Sequence, residues 1–143
     1  MKILKRNNKK GQDMIEAVII IPIFFLILAF TINIAQILLN SYTLKEAVYS
    51  GARSAVVCTN REQADSVAKT QAKNMLKNAM SINKHIDFST GIDGGGSWSK
   101  GNLYRFKATA TVNLLFPWME SGSGGITKTQ QISQEMYMMI ENQ

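Results

Sequence analysis

Cysteine and histidine are almost missing from this chain: one of each, Cys58 and His85, in 143 residues. A lone cysteine excludes an internal disulfide framework and a multi-cysteine metal cluster. A lone histidine leaves no pair for a histidine-based metal site or a proton relay. No G-x-S-x-G nucleophile elbow is present. No glycine-rich run ends in the Gly-Lys-Ser/Thr that a phosphate loop requires. Outside the N-terminal segment, no carboxylates pair at a convincing spacing. These absences argue against an enzyme: no catalytic residue, metal, cofactor or small-molecule substrate is expected. What is present excludes wholesale disorder, since 45% of the residues are hydrophobic and 18% charged. The length fits one modest domain with an appendage.

Charge is absent from one long stretch. No Asp, Glu, Lys or Arg occurs from residue 17 through residue 44. Its first part is nearly all Ile, Leu, Phe, Val and Ala, interrupted by Pro22, Thr31 and Asn33. About 20 apolar residues cover the roughly 30 Å of a bilayer's hydrocarbon, so the run is long enough to span it. The net charge of +6 is concentrated ahead of this run, in Lys2, Lys5, Arg6, Lys9 and Lys10. The rest of the chain holds eleven basic and ten acidic residues. The basicity therefore speaks to topology and gives no reason to expect nucleic acid. It predicts a cytoplasmic N-terminus and an extracytoplasmic remainder, single-pass in the cell membrane.

An ordinary secretory signal has the same opening, but its apolar core runs about 7–15 residues and ends at an A-x-A site. This run is longer and has no such site. Asp13 and Glu16 also stand between the basic cluster and the apolar run. Asp13 suits a helix's first turn, where a negative charge is favoured. Glu16 abuts the isoleucine-rich run and would gain from a positive partner.

The segment Lys9-Lys10-Gly11-Gln12-Asp13-Met14-Ile15-Glu16-Ala17, followed by the apolar helix with Pro22, resembles the class III signal of type IV pilins and pseudopilins. A basic leader ending in glycine, a glutamate fifth after the cut and an apolar helix coincide. Downstream, Ala47, Gly51-Ala52-Arg53 and Ala55 resemble the small-residue run of TadE-like proteins, minor pilin-like components of the Tad (Flp) pilus system. The resemblance implies cleavage after Gly11 by prepilin peptidase, with Gln12 as the new N-terminus. It implies that Glu16 pairs inside the membrane with that new amine, of its own chain or a neighbour. An N-terminal glutamine can cyclise and lose its positive charge, which would weaken the pairing. The partners implied are membrane lipid, prepilin peptidase, other Tad or type IV pilins and the inner assembly platform.

Beyond the membrane run, Leu44, Ala47, Val48, Gly51, Ala52, Ala55 and Val56 keep the spacing of one helix face. Residues 13–57 can form one helix of roughly 67 Å, with Pro22 a place for a kink. The small face Ala47, Gly51, Ala52, Ala55 admits close approach, either by the chain's own domain or by another subunit. Thr59-x-x-Glu62 has a capping-box pattern that starts a second helix. Ala64, Val67, Ala68, Ala72, Met75, Leu76 and Ala79 form that helix's apolar stripe. Arg61, Asp65, Lys69, Lys73 and Lys77 make a charged row, either a stripe for an anionic surface or, as such rows more often are, a solvated face in which Asp65 and Lys69 can pair.

A strand is expected near residues 85–89, then a glycine-rich connection through Trp98. The clearest strand alternates Tyr104, Phe106, Ala108, Ala110, Val112 and Leu114 with Arg105, Lys107, Thr109, Thr111 and Asn113. Pro117 is expected to end it, residues 121–125 to form a loop, and residues 126–140 to supply one more strand. Trp98 and Trp118, in or beside glycine-rich loops, are candidate partner anchors or, equally, seals on a small core. Cys58 is either buried or a site of intermolecular bridging.

The expected fold is α+β: a long N-terminal transmembrane helix continuing into a small extracytoplasmic domain with a second helix and about three antiparallel strands. The segments are a leader at 1–11, a transmembrane helix at 12–40 and the outer domain at 41–143. Two functions fit. One is a minor pilin-like subunit that takes part in pilus assembly or adhesion. The other is a static single-pass anchor whose outer domain binds a ligand or surface. Gly11 together with Glu16 is required only by the first.

Overall fold

A computed structural model of the chain describes residues 9–77, 82–119 and 126–141. Helix α1 spans Lys9–Val56, and its 48 residues make a rod of about 72 Å. It passes through Pro22 as one helix. Helix α2 follows at Arg61–Leu76, then β1 at Ile82–Ile92, β2 at Leu103–Met119 and β3 at Ile126–Met139. The strands form one antiparallel sheet in the order β1-β2-β3. The protein is α+β, as its sequence pattern predicts. The expected leader residues 1–8, Ala79 of the α2 stripe and the loop at 121–125 lie outside the described residues.

The core forms where the C-terminal half of α1 lies on the sheet. Tyr104, Phe106, Ala108, Ala110, Val112 and Leu114 are all buried, so every inward position of the β2 alternation faces the helices. On α1 the buried stripe includes Leu44, Ala47, Val48, Gly51, Ala52 and Ala55. Helix α2 packs beside α1 through Ala64, Ala68, Ala72 and Leu76, mostly small residues that let the two backbones approach closely. Phe106 stacks on Phe88 of β1 at 5.7 Å between centroids, with the rings 5° from parallel. Lys73 of α2 extends over the Phe88 ring, 6.0 Å from its centroid.

Three local details differ from the sequence expectation. The cap of α2 is Asn60, whose side chain accepts from the Gln63 backbone N–H at 2.9 Å. Thr59, the cap that the Thr-x-x-Glu pattern predicts, sits one residue outside and bonds the Gln63 side chain instead. Asn serves at least as well as Thr at that position, and it is the later of the two that meets the first helical turn. Asp65 pairs with Arg61 at 3.9 Å rather than with Lys69. Its other oxygen accepts from the Tyr104 hydroxyl at 2.9 Å, which turns the carboxylate toward the core. Finally, β2 does not end at Pro117 but continues to Met119, across an irregular stretch of the ladder between Asn113 and Trp118.

The Tyr104–Asp65 bond gives the fold a pH signature. Burial, and then the hydrogen bond and negative charge of Asp65, push the Tyr104 phenol well above the usual tyrosine range. In the unfolded chain the phenol loses its proton near pH 10, while the folded chain keeps it. Above that pH the folded state binds more protons than the unfolded one, so stability falls as pH rises. Thermal unfolding of the membrane-extracted protein is expected to shift downward above about pH 10, with a flatter profile in Tyr104→Phe.

The far end of α1 is closed by the same cluster. The Cys58 and Glu141 backbone N–H groups donate to the Ala55 and Val56 carbonyls, satisfying helix-end acceptors. Trp98 is turned inward, its indole N–H donating to the Cys58 carbonyl at 3.3 Å and its ring edge-on to Tyr104. Trp98, partly buried, thus packs against the core cluster. Cys58 is half-buried, and burial raises its thiol pKa.

Candidate functional site

The lower half of α1 is apolar and bare. Met14, Ile15, Val18 and the large side chains through Leu28 are exposed, among them Phe24, Phe25 and Leu26. An 18-residue window of this helix has the length and composition to cross a membrane, and none of it is buried within the fold. A core helix of a soluble protein would be covered by its own domain. Here the apolar surface goes all round the helix, as lipid or a ring of neighbouring helices requires.

Gly11 and Gln12 lie near the start of α1, and Glu16 is exposed one turn further along. Pro22 is exposed in the middle of the bare segment. The small residues Ala47, Gly51, Ala52 and Ala55 instead face the chain's own sheet and α2, while Arg53 points to solvent. Gly51 is the tightest point: a Cβ built there would stand 2.8 Å from both the Ala68 carbonyl oxygen and the Phe106 ring. Trp118 is in β2 opposite Thr127 of β3.

Between the bare and covered parts of α1 is a junction that sequence reasoning passed over. Asn33 is 2% exposed. Its side chain donates to the Phe116 carbonyl at 3.1 Å and accepts from the Phe116 N–H at 3.2 Å. One turn on, Gln36 accepts from the Leu115 N–H at 3.0 Å. Asn40 is buried and bonds back to the Gln36 carbonyl at 2.7 Å. The bonds to β2 occur in the irregular stretch of the β2–β3 ladder, where residues 114–117 of β2 face Lys128 alone on β3. Helix side chains thus satisfy strand groups released from the ladder. The signal was available: Asn33, Gln36 and Asn40 recur at helical spacing and continue the Leu44–Ala47–Gly51 stripe into the apolar run. The packed face of α1 therefore begins at Asn33, inside the 12–40 segment.

Residues 11–53 match the family model of TadE-like proteins. The chain carries a TadE-like segment. The matched span begins at Gly11, includes the whole bare part of α1 and the Asn33–Gln36 junction, and stops just past Gly51 and Ala52. The sheet lies outside it. No match is found among curated proteins or among solved structures. The TadE-like match suggests involvement in the Tad pilus system, and with the apolar helix it fits a place in the membrane.

Proposed function

We propose that the protein is a minor pilin-like subunit of the Tad pilus machinery, cut after Gly11 by prepilin peptidase and active in pilus assembly or surface adhesion. The role is structural and non-catalytic. The observation that carries this reading is a coincidence of position: the TadE-like match starts at Gly11, the glycine of a prepilin-type junction, and runs along a helix whose apolar surface the fold leaves uncovered. The N-terminus stays in the cytoplasm and the α+β domain lies outside it, as the basic leader favours. The bare helix holds the subunit in lipid and then packs among the helices of other pilins and the inner assembly platform.

Glu16 supplies the registration in this scheme. A carboxylate at the edge of the hydrocarbon is costly alone and is stabilised by a positive partner, here the amine of Gln12 released by cleavage. Cells carrying Glu16→Ala are expected to keep the protein in the membrane at normal abundance and to lose most of their surface pili. Pilus counts by electron microscopy beside membrane immunoblots give the test. Normal piliation in the variant would favour a static anchor, which has no use for the charge.

A further inference from the structure

We infer that the end of β2 is a second membrane contact, a strand edge around Leu115, Phe116 and Pro117 that rests in the headgroup–acyl boundary on the domain side of the bilayer. The inference requires α1 to span the membrane and holds whatever the pilus role. Counting about 20 residues from either Met14 or Ala17 places the end of the span at about residue 33 or 36. Asn33 is thus within one helical turn, about 5.4 Å, of that boundary. Strand β2 descends toward it: Phe106 packs at the level of Gly51, and Phe116 is hydrogen-bonded to Asn33. The strand end is therefore held at membrane level by direct contacts to the spanning helix.

Its composition changes at that level. The outward positions of β2 are polar from Arg105 through Lys107, Thr109, Thr111 and Asn113, and the next outward position is Leu115, 62% exposed. Phe116 is 37% exposed, and Pro117 beside it is exposed as well. An apolar and aromatic edge on a wet sheet face, beside a spanning helix, fits the zone where Trp and other aromatics concentrate in membrane proteins.

The backbone meets the requirement of that zone too. Irregular strand near hydrocarbon is tolerated only where its polar groups are satisfied, and Asn33 and Gln36 satisfy the Leu115 and Phe116 N–H groups and the Phe116 carbonyl. Pro117 has no N–H to satisfy. Exposed Lys128 on the facing strand limits the depth, since its ammonium belongs among headgroups. The occupant of this edge is lipid.

The test uses the full chain in phosphatidylethanolamine–phosphatidylglycerol vesicles, with and without lipids brominated near the top of the acyl chain. Trp98 is common to all samples, so the difference between wild type and Trp118→Phe isolates the Trp118 emission. Leu115→Trp adds a second reporter at a neighbouring position. The expected result is that brominated lipid removes roughly half or more of the emission of Trp118 and of the indole introduced by Leu115→Trp, while aqueous iodide removes little, as for an interfacial indole. Quenching by iodide and not by brominated lipid would place the edge in water and overturn the inference. Shielding from both quenchers would mean that protein covers it, and would overturn it equally. Flotation with the vesicles separates these results from failure of the span itself: a chain that does not float refutes the membrane helix, and the strand contact with it.

Discussion

Gly51→Ala is expected to destabilise the α+β domain by about 1–3 kcal/mol, the usual range for forcing a methyl into a packed core. The added Cβ would meet two neighbours at 2.8 Å, and they differ in how they can yield. The Phe106 ring can tilt, though its stacking on Phe88 opposes the movement. The Ala68 carbonyl belongs to the backbone of α2 and moves only if that helix moves. Relief therefore requires α1 and α2 to separate, which loosens the alanine contacts along both. Gly51→Leu is expected to prevent stable packing of the domain while leaving the apolar half of α1 intact. Thermal unfolding followed by Trp98 fluorescence, with the full chain in detergent, measures the loss. An unchanged midpoint in Gly51→Ala would show that the helices are not in this close contact.

Phe106→Ala is expected to cost more, about 3–5 kcal/mol, as for other fully buried phenylalanines. Phe106 is 0% exposed and sits where β2, β1 and α1 meet, so nothing mobile is at hand to fill the space its ring leaves. The two sites touch, and their effects should not add. With the ring gone, a methyl at position 51 loses one of its two clashes and keeps the other. The double variant should therefore be more stable than the sum of the single losses predicts, yet still less stable than Phe106→Ala alone. Chemical denaturation of the three variants gives the coupling. Strict additivity would contradict the contact.

These effects arise in the part of the fold that is most legible in the sequence. Strict alternation from Tyr104 to Leu114 is satisfied by only one buried face, and the helical stripe from Leu44 to Val56 has no other surface to meet. Contacts between residues distant in sequence are not legible. Local spacing offers Asp65 the partner Lys69, whereas its actual partner in the core, Tyr104, arrives from a strand 39 residues away. Pro117 reads as a terminator because it cannot donate to a ladder, but here the ladder is already interrupted and Asn33 and Gln36 take over the bonding. Asn33 itself reads as an interruption of an apolar run. Its purpose emerges only when Phe116 is brought beside it.

The same asymmetry holds for the TadE-like segment. Gly11, Glu16 and the apolar run are adjacent in sequence, so their pattern is readable without a fold, and the TadE-like match covers the same residues. The α+β domain has no comparable local signature. Its contribution here is a geometric one: it packs against α1 from Asn33 to Val56 and leaves the large apolar side chains from Met14 to Leu28 exposed.

The most direct test of the pilin-like reading is the N-terminal mass of the membrane-extracted protein from cells with and without their prepilin peptidase. The reading predicts a chain that begins at Gln12 when the peptidase is present and at Met1 when it is absent, and the same spectrum shows whether Gln12 retains its charged amine or has cyclised. A chain beginning at Met1 in both strains would contradict it and leave a plain membrane anchor.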